Sequence, residues 1–204
     1  MVPSRVDHAA RREVIAEAAW RIILRDGLEA VSVRAVAAEV GLSTGSLRHV
    51  FGSQAELLQF SMELVGERVS ARIAAIPAEV SARERIARMI REILPLDAVR
   101  AAEQEVWLAF VARSRVEPSM RHFVTQIDDA QRNWLRSALD AMFLEEGIGD
   151  RDPALECERL YALMDGLVLH LIVTPGSLDP DQTIAVLTRH LADLRSHPAP
   201  PQQR

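Results

Sequence analysis

At 204 residues the chain is long enough to bury a sizeable core without staples, and its single cysteine, Cys157, excludes an intrachain disulfide and suits a reducing cytoplasm. A formal net charge of −5 argues against a protein that coats nucleic acid non-specifically. Residues 1–12 are charged and lack the apolar stretch of a secretion signal, and no later stretch is apolar for the roughly 18 residues of a membrane span, so the expectation is a cytoplasmic protein with no membrane partner.

Ile15, Ala18, Ala19, Ile22 and Ile23 follow the i, i+3, i+4, i+7, i+8 spacing of a helix with one apolar face, and Gly27 supplies its stop. The first helix is placed at about 7–26. Ser32 stands as a cap before Val33, Val36, Ala37 and Val40, and Gly41 ends that short run, about 32–40. Ser43 can cap a third helix carrying Leu47 and Val50, closed by Gly52. Ser53-Gln54-Ala55-Glu56 then reads as a capping box opening a long fourth helix.

Beyond Pro77 the pattern repeats. Ser81-Ala82-Arg83-Glu84 is a second capping box, and Pro95 separates its helix from one at about 97–115. Pro118 opens a helix whose apolar stripe persists from Met120 to Met142, until Gly147 and Gly149 break it. Helices at about 152–173 and 180–195, parted by Pro175-Gly176, close the chain. Residues 197–204, with three prolines, are expected to be a disordered tail. No alternating apolar and polar segment is long enough for a strand, so the fold class is all-α, about nine helices.

Two short helices joined by Val40-Gly41-Leu42-Ser43 form a helix-turn-helix, in which the first helix braces across a DNA backbone and the second enters the major groove. Residues 1–52 hold seven arginines against six acids, a balance too mild to indicate DNA without the motif. From Arg11 to Leu58 the sequence resembles, along its whole length, the N-terminal domain of the tetracycline-repressor (TetR) family of transcriptional regulators. Val31-Ser32-Val33-Arg34 is similar to the start of that family's second helix and Gly41-Leu42-Ser43 to its turn. Gly45-Ser46-Leu47 and Phe51-Gly52-Ser53 resemble its recognition helix and the segment leading into helix four. Trp107-Leu108-Ala109-Phe110 and the run Tyr161 to Leu167 resemble the C-terminal domain of the choline-responsive, BetI-like branch.

The resemblance implies a helix-turn-helix DNA-binding domain at 1–52 and a ligand-binding and dimerisation bundle at 53–196. It implies a ligand-responsive repressor that binds a palindromic operator as a homodimer and is released by a small-molecule effector, with activation an open alternative. By the same resemblance, Ser32, Val33 and Arg34 would contact phosphates at a helix N-terminus, and Ser43, Thr44, Gly45, Ser46, Arg48 and His49 would face the groove. Arg48 suits guanine in bidentate fashion. Arg48 and Val50 replace aromatics common in the family, and Gln54 replaces a common lysine that holds phosphate, leaving at most a weak contact there.

Gly41-Leu42-Ser43-Thr44-Gly45 also spells the G-x-S-x-G nucleophile elbow, but that motif needs a preceding strand, and Val33, Val36, Ala37 and Val40 are spaced for a helix. No pair of histidines stands at i, i+4 and Cys157 has no companion, so neither catalysis, a metal nor a cofactor is expected. The resemblance also implies an effector pocket in the body, for which Trp107, Phe110, Phe123, Trp134, Tyr161 and His170 are candidates. Leu160, Leu163, Leu167 and Leu171 on one helix, with Ile184, Leu187, Leu191 and Leu194 on the next, are candidates for the dimer interface because each set lies along one helical face.

Overall fold

Capping decides where most of these helices begin. Ser32, Ser43, Ser53 and Ser81 each turn an extended residue into a cap, their hydroxyls accepting from the N–H groups of Ala35, Ser46, Glu56 and Glu84 at 3.0–3.2 Å. Each such cap contributes about 1 kcal/mol. The computed structural model describes residues 5–27 and 30–196, without the side chains of 5–9, 54, 119 and 196; the expected tail at 197–204 lies outside them. Among the described residues there are nine helices and no strand: α1 (Arg5–Asp26), α2 (Val33–Glu39), α3 (Thr44–Val50), α4 (Gln54–Ala74), α5 (Ala82–Ile93), α6 (Ala98–Ser114), α7 (Pro118–Glu146), α8 (Pro153–Val173) and α9 (Pro180–Ser196).

Both capping boxes close on one side only. Glu56 accepts from the Gly52 N–H at 2.8 Å, one residue ahead of its cap, and Glu84 instead accepts from Arg88 Nε at 2.7 Å.

Two apolar clusters organise the bundle. The stripe of α1, Ile15 to Ile23, is buried against Val36, Ala37, Leu47 and Phe51 of the two short helices. The same cluster continues without a break past residue 52, through Leu57, Met62 and Val65 of α4 to Val106 and Phe110 of α6 and Met120 of α7. The first three helices therefore share a core with the body, and α4 carries that core across the boundary placed at 52. The second cluster joins Ile86 and Ile90 of α5, Leu135 and Leu139 of α7, and the inner faces of α8 and α9. At 29 residues α7 runs about 43 Å and reaches both clusters.

Most of the leucines expected to meet a second copy meet the protomer itself. Leu160, Leu167, Leu187, Leu191 and Leu194 are buried in the second cluster, Leu163 packs against it, and Leu171 and Ile184 are half-buried. The correction has a simple cause: α8 is apolar on two sides, and periodicity does not say which side the bundle takes. The side left in solvent carries Leu155, Ala162, Leu169 and Val173, continued by Val186 on α9.

Candidate nucleic-acid interface and effector cavity

The turn between α2 and α3 is built for its glycine. Gly41 has φ +68°, its N–H donates to Ala38 O at 3.3 Å, and the Leu42 N–H donates to Ala37 O at 2.8 Å. This double closure satisfies the last carbonyls of α2 and turns the chain into Ser43. Leu47 and Phe51 are buried beneath α3, so the helix is held by one face and presents the other.

On the presented face Thr44, Gly45, Arg48 and His49 are exposed, as is Arg34 on α2. No acidic side chain among the described residues pairs with Arg34 or Arg48. By contrast Arg21 and Arg25 of α1 are both tied to Glu39, at 3.3 and 3.2 Å. Ser32 and Ser43 are committed as caps, and the Ser43 and Ser46 hydroxyls are bonded to one another at 2.9 Å, so these three arrive with part of their hydrogen-bonding capacity already used. Val33 is half-buried against the first cluster and offers its backbone rather than its side chain. A Cβ on Gly45 would lie 3.8 Å from Ser43 Oγ, an ordinary contact, so the fold itself does not require glycine there. Gln54 opens α4, and its side chain lies outside the described residues. Ser43 follows a helix and caps another, which is incompatible with a nucleophile elbow. No group of three or more histidine, cysteine or acidic side chains able to hold a metal occurs among the described residues.

Where the two apolar clusters meet, the packing opens into two neighbouring cavities. The larger, about 440 Å³, lies between α4, α5, α6 and α7, walled by Val65, Val69, Ile93, Trp107, Ile127 and Trp134. Its polar wall is Ser70, Glu103, Gln104 and Gln131. The smaller, about 220 Å³, shares Ile93, Gln104, Trp107 and Gln131 with it and adds Tyr161, Asp128 and Asp165. Trp107, Trp134 and Tyr161 are thus brought together as candidate pocket residues. Phe110 and Phe123 are not: their rings pack at 5.3 Å within the first cluster, where core formation has taken them. His170 is exposed in the last turn of α8 and reaches neither cavity.

The polar groups of these cavities are mainly acceptors. Tyr161 Oη lies 2.7 Å from Asp128 and 3.0 Å from the Gln131 side-chain oxygen, while the Arg132 guanidinium stacks 4.4 Å from the Tyr161 ring centre and pairs with Asp128. Burial, followed by hydrogen bonding to Asp128, pushes the Tyr161 hydroxyl well above its ordinary range, so it stays protonated. Asp165 is held above the ordinary aspartate value by partial burial and then by the Asp128 charge. Glu103, Gln104, Asp128, Gln131 and Asp165 were not singled out from sequence. The available signal was polarity interrupting an apolar face, as Asp165 does between Tyr161, Met164 and Val168.

Comparison with known proteins adds to this geometry. Residues 15–59 match the family described as bacterial regulatory proteins, tetR family, and residues 82–196 match BetI-type transcriptional repressor, C-terminal. The HTH-type transcriptional regulator PksA of Bacillus subtilis is 40% identical over 197 residues, 95% of this chain and 94% of that one. A transcriptional regulator from Saccharomonospora viridis, solved in complex with choline, superposes with TM-score 0.76 at 26% identity, covering 93% of this chain and 97% of that one. The multidrug binding protein EbrR complexed with ethidium gives TM-score 0.66 at 26% identity, covering 88% of this chain and 98% of that one. Its relatives being regulators rather than enzymes, and both of its halves matching, this chain belongs to the TetR family of transcriptional regulators, with a BetI-type C-terminal domain.

Proposed function

We propose that the chain is a ligand-responsive repressor that binds a palindromic operator as a homodimer and releases it when a small organic cation fills the body cavity. The observation that carries this reading is the course of α4. Its first half, with Leu57, Met62 and Val65, lies in the core that fixes α1 to α3, and Val65, Val69 and Ile73 wall the larger cavity. A molecule entering the cavity therefore presses on the helix that bears on the reading head.

The DNA contacts divide by chemistry. Arg34 and the free N–H groups at the start of α2, with Ser32 and Val33, address phosphates; Thr44, Gly45, Arg48 and His49 address base edges, with Ser43 and Ser46 at the side. The exposed face Leu155, Ala162, Leu169, Val173 and Val186 supports pairing of α8 and α9 with a second copy through an isologous contact. Such a dimer holds two α3 helices for half-sites about one DNA turn, 34–36 Å, apart. Acceptor-rich walls with Trp107 and Tyr161 favour a cation, which aromatic faces and carboxylates attract together. Choline and ethidium in the two solved relatives have that chemistry. An effector shifts operator affinity only by its differential affinity for the two spacings of the reading helices.

The test is selection of bound fragments from genomic DNA by the full chain, followed by titration of choline and of ethidium into the complex. Recovery of a two-fold symmetric site that choline dissociates, or that ethidium dissociates at concentrations leaving an unrelated protein–DNA complex intact, supports the reading. Failure to enrich any sequence overturns it.

A further inference from the structure

A third cavity, about 520 Å³, opens at the far end of α4 from the reading head, and the function proposed above makes no use of it. Its wall brings together Arg72 of α4, Arg88 and Arg91 of α5 and Arg100 of α6, with Glu92 as the one acidic side chain among them. Ile184 of α9 lies across it. We infer that this cleft is a second ligand site, for a small organic polyanion bearing phosphate or carboxylate groups.

The four guanidiniums are not equally free. Arg72 grips Glu103 with two hydrogen bonds of 3.0 and 2.7 Å and reaches Glu92 at 2.9 Å. An occupant that drew it away would strand a buried carboxylate, so Arg72 stays where it is. Arg100 is held by Asp97 at 2.7 Å and by the Arg91 carbonyl at 2.9 Å. These two are committed to those carboxylates and leave the cleft to the other pair. Arg91 differs: its guanidinium has no hydrogen bond or ion pair among the described residues, and its Nε is enclosed without an acceptor. Enclosed N–H groups lacking an acceptor are uncommon because water has been lost with nothing in return. Arg88, three residues earlier on the same face of α5, is engaged only with Glu84 at 2.7 Å in an i, i+4 pair with both partners well exposed. Pairs of that kind are weak and readily exchanged for a better acceptor.

Arg88 and Arg91 are therefore the two forks available to an incoming anion, with Arg72 and Arg100 behind them. Planar guanidiniums match phosphate and carboxylate oxygens two at a time, which gives the site its ligand class. The volume suits a molecule of metabolite size, and the enclosing wall of Leu96 and Ile184 offers apolar contact to its carbon skeleton.

The test uses the full chain without DNA. Inorganic pyrophosphate and citrate are titrated separately by calorimetry, each against a sodium chloride control at matched ionic strength. Saturable binding of one molecule per chain is expected for at least one probe, and the stronger probe tells phosphate from carboxylate chemistry. Arg91→Gln should weaken it about tenfold, the loss of one charge-assisted contact, and Arg88→Gln several-fold. Arg91→Lys keeps the charge and loses the fork, so it should bind between wild type and Arg91→Gln, which also guards against a folding defect in the glutamine variant. Heats indistinguishable from the chloride control, or wild-type affinity in both glutamine variants, would overturn the site. Neither readout depends on operator binding or on the cation cavity.

Discussion

Arg72 of α4 closes on Glu103 of α6 with both Nη groups, at 3.0 and 2.7 Å, and Glu103 is only 1% exposed. The hydrogen bonds to Glu103 raise the Arg72 pKa against the opposing effect of burial, so the arginine remains charged. Removing the cation alone leaves a buried carboxylate without a partner, which costs of the order of 3 kcal/mol, toward the lower end because water reaches the Arg72 side. Arg72→Ala should therefore lower the urea midpoint strongly, whereas the paired apolar replacement Arg72→Met with Glu103→Leu should lie much closer to wild type. Equal losses in the two proteins would show that the pair matters for packing rather than charge.

The two exposed arginines of the reading head should separate by their salt dependence. Arg48→Ala is expected to weaken a selected operator by roughly 1–3 kcal/mol and to relax base preference at one position, because a bidentate guanine contact carries sequence information. Arg34→Ala should weaken all sequences alike and flatten the plot of log affinity against log salt by about one. Gel-shift titrations at several salt concentrations measure both quantities, and unchanged affinity in both variants would reject the assigned face.

Helix positions and the reading head were legible in the sequence because they rest on local chemistry: Ser32, Ser43 and Ser53 cap the helices they precede, and Gly41 closes the turn. The cavity was legible only in part. Trp107 lines both neighbouring cavities, Trp134 the larger and Tyr161 the smaller, but Phe110 and Phe123, of the same apolar character, were claimed by the core. The carboxylates come from different helices, and nothing within a single helix announces that Asp128 of α7 and Asp165 of α8 line one cavity while Glu103 of α6 lines its neighbour. The same limit applied to α8, where Leu160 and Leu169 have like spacing and opposite fates.

That difference gives a test of assembly. Leu169→Glu with Val173→Glu alters residues 45% and 68% exposed in the protomer, so the chain should fold yet sediment as a monomer and lose cooperative operator binding. Leu167→Glu with Leu191→Glu instead places carboxylates at sites buried within one protomer and should unfold it. Analytical ultracentrifugation with circular dichroism distinguishes the two results. A stable dimer in the first variant would move the interface away from this face.

Asp165 links the cavity to pH. Partial burial first, and the Asp128 charge second, raise its pKa in the folded chain above the ordinary aspartate value of 3.8. The stability this shift contributes is fully present below that ordinary value and is lost as pH rises through the higher folded value, so at neutral pH the ionised Asp165 is a cost to the empty protein. Asp165→Asn should accordingly raise the thermal midpoint of the unliganded chain at pH 7 and leave it little changed in acid. A bound cation reverses the preference, since it stabilises the ionised carboxylate and so competes with the proton for it. Ethidium affinity, followed by its own fluorescence anisotropy, should therefore fall as pH drops through the window just above the ordinary aspartate value. In Asp165→Asn the affinity should be weaker at pH 7 and that part of the pH dependence should vanish. Ethidium binding that is as strong in the variant as in the parent, with the same pH profile, would remove Asp165 from the effector site and leave its raised pKa a feature of packing alone.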